Sequence, residues 1–235
     1  MNKFKDFLHI LRYIIPTLWI NFKYLPFQQA KKLPILVYKP HLRQLKGKIV
    51  IENKNVRFGM IRMGFFTSAL YPNNGFVLQN EGVIVFKGRF YMGNDCYVIC
   101  GNQGRIEFGE DFRVTAGLKM VSLCGITFGK ETLVGWGVII IDTNFHPLYD
   151  IEKKCFKKAF GRVNIGDNNW FSTQCMVMPG VSTPECCVFG ARTIVTRGGQ
   201  FEPYCVHGGS PVRVLSRNVM RIIGQDFISD YSCDN

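Results

Sequence analysis

Two stretches decide the fold: ITFGKETLVGWGVIIIDTNFHPLYD (126–150) and VNIGDNNWFSTQCMVMPGVSTPECCVFGARTIVTRGG (163–199). Large apolar residues recur in them at every sixth position. Ile165, Phe171, Val177, Phe189 and Val195 keep the period, with Thr183 as its one polar member. Phe128, Val134 and Ile140 keep it upstream, and Phe108, Val114 and Met120 form an earlier triplet. The two triplets align at an offset of 20, with Gly109 on Gly129 and Gly117 on Gly137. One residue in six pointing into a narrow interior, beside a small residue that permits a tight turn, closes a triangular coil after three units, about eighteen residues. Stacked coils pair their strands in parallel and bury a continuous apolar column. The predicted fold is therefore an all-β core in the form of a parallel β-helix.

Outward from these stretches the pattern loosens. From Ile49 to Val206 no 3.6-residue periodicity appears, and short Val/Ile/Phe pieces alternate with Gly, Asn and Asp, as many short strands require. Residues 49–98 are expected to hold one or two less regular coils, for example around Ile84–Val98. Between Ile140 and Ile165 an insertion, residues 142–163, breaks the repeat, and a long loop leaving a rigid scaffold usually carries function. Gly198-Gly199 and Pro203 end the coils. The segment VRVLSRNVMRIIGQDFI (212–228) reads as a short strand and then a helix with Val219, Ile222, Ile223 and Phe227 on one face, capping the open end. The expected organisation is a basic N-terminal helix and irregular linker (1–48), a β-helix domain with its inserted loop (49–211), and a C-terminal cap and tail (212–235).

Composition sets the remaining bounds. At 235 residues the chain suits one sizeable domain with an appendage, and 47% hydrophobic content excludes a disordered chain. The net charge of +12 is unevenly placed: residues 1–60 hold twelve Lys/Arg and only Asp6 and Glu52 as acids, so +10 lies there. A basic segment beside a near-neutral body points to an anionic surface. Nucleic acid is not expected, because no helix-turn-helix, zinc-finger or RNP pattern accompanies the charge. The run LHILRYIIPTLWINF (8–22), flanked by Lys3, Lys5 and Lys23, is too short and too interrupted for a membrane span of about 20 residues. It has the composition of a helix lying in a membrane interface, with a cap packed on the body as the compatible alternative. No secretory cleavage site follows the run. Nine scattered cysteines without metal-ligand spacing read as thiols of a reducing cytosol, and no metal site is visible.

The sequence resembles the hexapeptide-repeat acyltransferases, and most specifically their branch that O-acetylates sugars of surface polysaccharides. The resemblance rests on residues 126–150, 163–181 and 188–199 and on VHGGSPVRVL (206–215), with the repeats covering roughly half the chain. It implies a left-handed β-helix, a homotrimer with each active site at the groove between two neighbouring coils, and acetyl-CoA as the donor. Three departures stand out. Thr183-Pro184 replaces an aliphatic-Gly pair, Phe171-Ser172 replaces Ile-Gly, and His207 occupies a place in the final loop where a small residue is common, near the expected cofactor pocket.

Acetyl transfer to a hydroxyl needs a base near that hydroxyl, a donor for the developing oxyanion and a channel for the thioester. Of four histidines, only His146 lies in the insertion, and it matches the family's catalytic histidine. Asp142 is expected either to orient the imidazole or to cap a turn, and Asn144 to bond the acceptor or pantetheine. By resemblance, Trp170, Ser172, Ala191, Thr196, Arg197 and Arg213 line the cofactor path, and Trp136 and Phe145 the acceptor side. The basic tail Lys153, Lys154, Lys157, Lys158 and Arg162 is either solvated or in contact with phosphates. The function expected is O-acetylation of a surface-glycan sugar or its lipid-linked or nucleotide precursor, in the cytoplasm, with residues 1–25 touching the inner membrane face. N-acetylation of an amino-sugar nucleotide and a non-catalytic β-helix scaffold are the competing readings.

Overall fold

The computed structural model describes residues 3–224, with side chains from Tyr13 onward. Its core is built from three parallel sheets whose strands succeed one another cyclically along the chain. The first face begins at Ile35–Val37, the second at Pro40–Arg43 and the third at Lys48–Ile51, and each later coil adds one strand to each face in the same order. This is the left-handed parallel β-helix of hexapeptide repeats that the spacing and the resemblance predict.

The period of six becomes three inward columns. On the third face Phe86, Phe108 and Phe128 stack, the last pair with centroids 5.7 Å apart and 1° between planes, and Ile165 and Thr183 continue the column. On the first face Met92, Val114, Val134, Phe171 and Phe189 lie in register. On the second face Leu78, Val98, Met120, Ile140, Val177 and Val195 do so. All are buried. Thr183 keeps its inward place, so the departure at Thr183-Pro184 leaves the coil regular.

The helix starts earlier than residue 49. The strands at 35–43, within the segment expected to be linker, pair in parallel with Ile61–Phe65 and Phe76–Asn80. Their short, proline-interrupted strands hide the period of six, but their backbone groups complete the first coil. Residues 49–98 belong to less regular coils, as expected: 52–60 and 66–75 lie outside the strands, and the register shifts between Met63 and Phe65. Tyr71, in the irregular segment between two of these strands, lies over the left-handed turns at Gly117 and Gly137, where a Cβ would meet its ring at 2.5 Å and its hydroxyl oxygen at 2.6 Å.

Helix α1 (Lys3–Tyr24) closes the N-terminal end. Asn21 staples it there: its side-chain amide donates to the Ile35 carbonyl at 2.7 Å, and its carbonyl oxygen accepts from the Ile35 N–H at 3.1 Å. Thr17 accepts from the Val37 N–H, and Ile20 and Leu25 are buried against the first coil. Among the described residues no helix is long and apolar enough to cross a membrane. At the other end, Cys205–Gly208 turns back as the antiparallel strand Arg213–Arg217. Residues 218–224 form no helix, and the rest of the segment expected to be helical lies outside the described residues.

His207 is buried on that penultimate strand and stacks on Phe189 with centroids 5.3 Å apart. It therefore plugs the first-face column rather than altering a cofactor pocket. Its Nε2 accepts from the Glu202 N–H at 3.2 Å. The described cysteines are free, and burial pushes Cys96 and Cys187 up to about 12, which makes them packing residues rather than nucleophiles.

Truncating Phe108 to Ala opens a cavity between Phe86 and Phe128 and is expected to cost about 3–5 kcal/mol in denaturant unfolding. Burial also lowers the His207 pKa, because the charged ring loses its water. The folded chain then takes up fewer protons than the unfolded one as pH falls below about 6.5, so stability declines there. His207→Phe is expected to flatten the decline below about 6.5, the ordinary histidine value, in melting followed from pH 8 to pH 5.

Candidate active site

The insertion leaves the corner between the second and third faces, directly after the strand Ile139–Ile141. Its root is pinned. Asp142 is fully buried, and its carboxylate accepts from the Ser122 hydroxyl at 2.8 Å. It also accepts from the N–H groups of Leu123 at 2.8 Å, Cys124 at 2.9 Å and Gly125 at 2.6 Å. These donors belong to the turn one coil earlier. The carbonyl of Asp142 accepts from Gly161, where the insertion returns. Thr143 bridges Phe160, and Asn144 N–H donates to Ala159. The insertion is thus an antiparallel hairpin, extended by the pair Tyr149–Asp150 and Cys155–Phe156.

This geometry corrects the role expected of Asp142. Both its oxygens are held by the coil, and His146 is not among its partners. The turn-capping alternative is the one observed. Asp142 fixes the hairpin, and through it the place of the histidine.

His146 sits on an exposed turn made by Thr143, whose hydroxyl accepts from the Phe145 N–H at 3.0 Å while Phe145 adopts φ 60°. The His146 N–H donates to the Asn144 carbonyl at 2.7 Å. The imidazole itself has no hydrogen-bond partner among the described residues, and Asn144 and Phe145 are exposed beside it. A solvent-facing, unengaged imidazole on a pinned turn can take a proton from a group brought to it.

The other candidates fall on two edges of the second face. Trp136, Ser172 and Ala191 lie at the corner between the first and second faces, on successive coils. Trp136 is 40% exposed, enough to offer an aromatic surface. Half-buried Trp170 leads into the same corner from the first face, between Leu133 and Val188. Thr196 and Arg197 lie instead at the corner that carries the hairpin, with the Arg197 stem resting over Gly180. Gly161 packs against that same Gly180, and its carbonyl accepts from the Gly180 N–H at 2.9 Å. Arg213 is exposed on the final strand.

These residues therefore occupy two corners of the chain. Trp136 and Asp142 stand on either side of the strand Ile139–Ile141, at different corners. Sequence reasoning missed Tyr71 and the Arg192–Gln174 pair (3.0 Å), both on the first corner. Tyr71 carries no local signal, because only the stacking of coils brings it to Gly117 and Gly137. Among the described residues no cluster of potential metal ligands occurs.

Coils of this period, with a histidine-bearing hairpin at one corner, are the architecture that the resemblance to the hexapeptide-repeat acyltransferases implies. Comparison with known proteins finds acetyltransferases among those similar to the chain. No family model matches the chain. A 24.8 kDa protein of the Klebsiella pneumoniae cps region is 24% identical over 189 residues, covering 78% of this chain and 82% of that protein. The galactoside O-acetyltransferase of Escherichia coli is 29% identical over 110 residues, 47% of this chain and 53% of that protein. The chain thus spans about four-fifths of the first relative and about half of the second. Among solved structures, a polysialic-acid-specific acetyltransferase superposes with a TM-score of 0.49 at 18% identity, covering 80% of this chain and 84% of that one.

Replacing Asp142 by Ala strands the Ser122 hydroxyl and three N–H groups, and is expected to lower stability by about 3 kcal/mol and speed proteolysis within 142–161. Lost acetyl transfer with unchanged melting and proteolysis would instead return Asp142 to orienting the imidazole.

Proposed function

We propose that the protein is an acetyl-CoA-dependent O-acetyltransferase acting on a sugar hydroxyl of a surface polysaccharide or its precursor, with His146 as general base. The observation that carries this reading is the unengaged imidazole on a hairpin pinned through Asp142. The acetyltransferase relative named above supports it, and the cps-region relative supports a glycan as the acceptor.

The chemistry follows from the groups present. His146 takes the proton of the acceptor hydroxyl as its oxygen attacks the thioester carbonyl. The carbonyl oxygen becomes an oxyanion, which a backbone N–H of the neighbouring coil would stabilise. As the tetrahedral intermediate collapses, the C–S bond breaks and the imidazolium returns its proton to the departing thiolate. The products are the acetyl ester and free CoA. Ser172 and Ala191 leave the first corner low enough for a pantetheine chain lying along it, with Trp170 beside it. Thr196, Arg197 and Arg213 meet the phosphates at the nucleotide end. Asn144, Trp136 and Phe145 face the acceptor.

A homotrimer reconciles the separation of the two corners. The hairpin leaves one edge while Trp136 and Ser172 line the other, so a three-fold arrangement brings the hairpin of one copy to the low corner of the next. The hairpin carries Phe145, Leu148, Tyr149, Ile151 and Phe156 exposed, Ile151 at 83%, which supports a neighbouring copy as their cover. The donor places the reaction in the cytoplasm.

The test follows thiol release from acetyl-CoA with a panel of glycans and one amino-sugar nucleotide. Acceptor-dependent release is expected to fall by about 10²-fold or more in His146→Ala. Equal rates in the two proteins would remove His146 from the mechanism, and release with the amino-sugar nucleotide alone would replace O- by N-acetylation.

A further inference from the structure

Helix α1 has two apolar faces, and the protein covers one of them. Thr17, Ile20, Asn21 and Leu25 face the first coil and are buried. Ile14, Ile15, Leu18, Trp19 and Phe22 follow the i, i+1, i+4, i+5, i+8 spacing of a single stripe and remain 39–62% exposed. A helix that served only as a lid would present polar residues outward. Five large apolar side chains on one stripe require a second apolar environment.

Charge says which environment. Lys23 holds its ammonium 4.7 Å from the centre of the Trp19 ring. Directly beside it lies an open cavity of about 400 Å³ whose walls include Lys23, Lys46 and Lys48. Tyr24 closes one side, its hydroxyl donating to the Leu45 carbonyl. Along residues 13–60 Glu52 is the one acid. An aromatic ring at the rim of an apolar stripe, with ammonium groups at the same level, is the arrangement that meets headgroups and the acyl boundary together. A second copy placed on the stripe would bring two strongly cationic segments together, and a nucleic acid would leave the apolar residues uncovered.

We propose that α1 lies in the surface of an anionic bilayer: Ile14, Ile15, Leu18, Trp19 and Phe22 enter the acyl boundary, and Lys23, Lys46 and Lys48 hold lipid phosphates at the adjoining cavity. The inference stands on the helix and the first coil alone. It is independent of the acetyl-transfer reading, whose residues lie in later coils and the hairpin.

Flotation of the full chain with vesicles tests it. Capture by mixed phosphatidylglycerol–phosphatidylcholine vesicles, absent with phosphatidylcholine alone and declining with added salt, is expected. Leu18→Glu with Trp19→Glu should abolish capture, and Trp19→Ala should weaken it. Lys46→Glu with Lys48→Glu should lower partition at least about fivefold for each lysine changed. Thermal melting should match the parent in each variant, because the altered side chains are exposed. The proposal is overturned by absent capture at low salt, by equal capture of parent and variants, or by variants that change the mass in solution instead, which would assign the stripe to a second copy. Thiol release with a soluble acceptor is measured alongside, so a failure of catalysis is read separately.

Discussion

Everything in this protein hangs on the width of the prism. Three short strands enclose a narrow interior in which a strand buries only one or two side chains, so the residues pointing inward are nearly all apolar, and large where neighbours leave room. Phe86, Phe108 and Phe128 show the consequence: each ring is the floor of the next coil and the ceiling of the last. Because packing in such an interior is dense, a coil cannot shift without displacing its neighbours. The corners are thereby held in line, and residues far apart in the chain, such as Trp136, Ser172 and Ala191, come to lie along one edge. The same regime explains His207. A ring of about the right shape, with its Nε2 hydrogen-bonded to Glu202, can end a column that Phe189 leaves open.

Rigid coils also explain how a long hairpin can be held in place at its root. A loop of this length would sample many conformations, and the entropy of ordering it is substantial. Asp142 offsets this at the point where it matters most. Its carboxylate, removed from water, is compensated by four donors from the preceding turn, and its own carbonyl receives the returning strand. The root is therefore as fixed as the core, while the tip keeps exposed apolar residues and the free imidazole of His146. Stability and chemistry meet in one buried carboxylate.

At the N-terminal end the first coil would expose a raw sheet edge and the open interior. Helix α1 covers that end through Asn21, which satisfies both backbone groups of Ile35. Covering the edge fixes the orientation of the helix, and with it the direction in which its second apolar stripe and the lysines beside it face.

The sequence by itself determined the fold of residues 106–195, because a period of six has one structural meaning and local residues are enough to express it. It also placed His146 in a loop that departs from the repeat. It did not reveal the first coils: the strands at 35–43 are short and carry Pro40, so their period is lost and only pairing with later coils identifies them. Nor did it reveal the work of Asp142. An aspartate four residues before a histidine looks the same whether it bonds the imidazole or a turn seventeen residues back. The tertiary structure alone decided that, since hydrogen-bond partners are set by which coils stack, and stacking is a relation between distant segments. The division of the candidate residues between two corners is of the same kind, for six-residue spacing fixes the inward positions but not which edge an outward residue occupies relative to a hairpin that departs from the repeat.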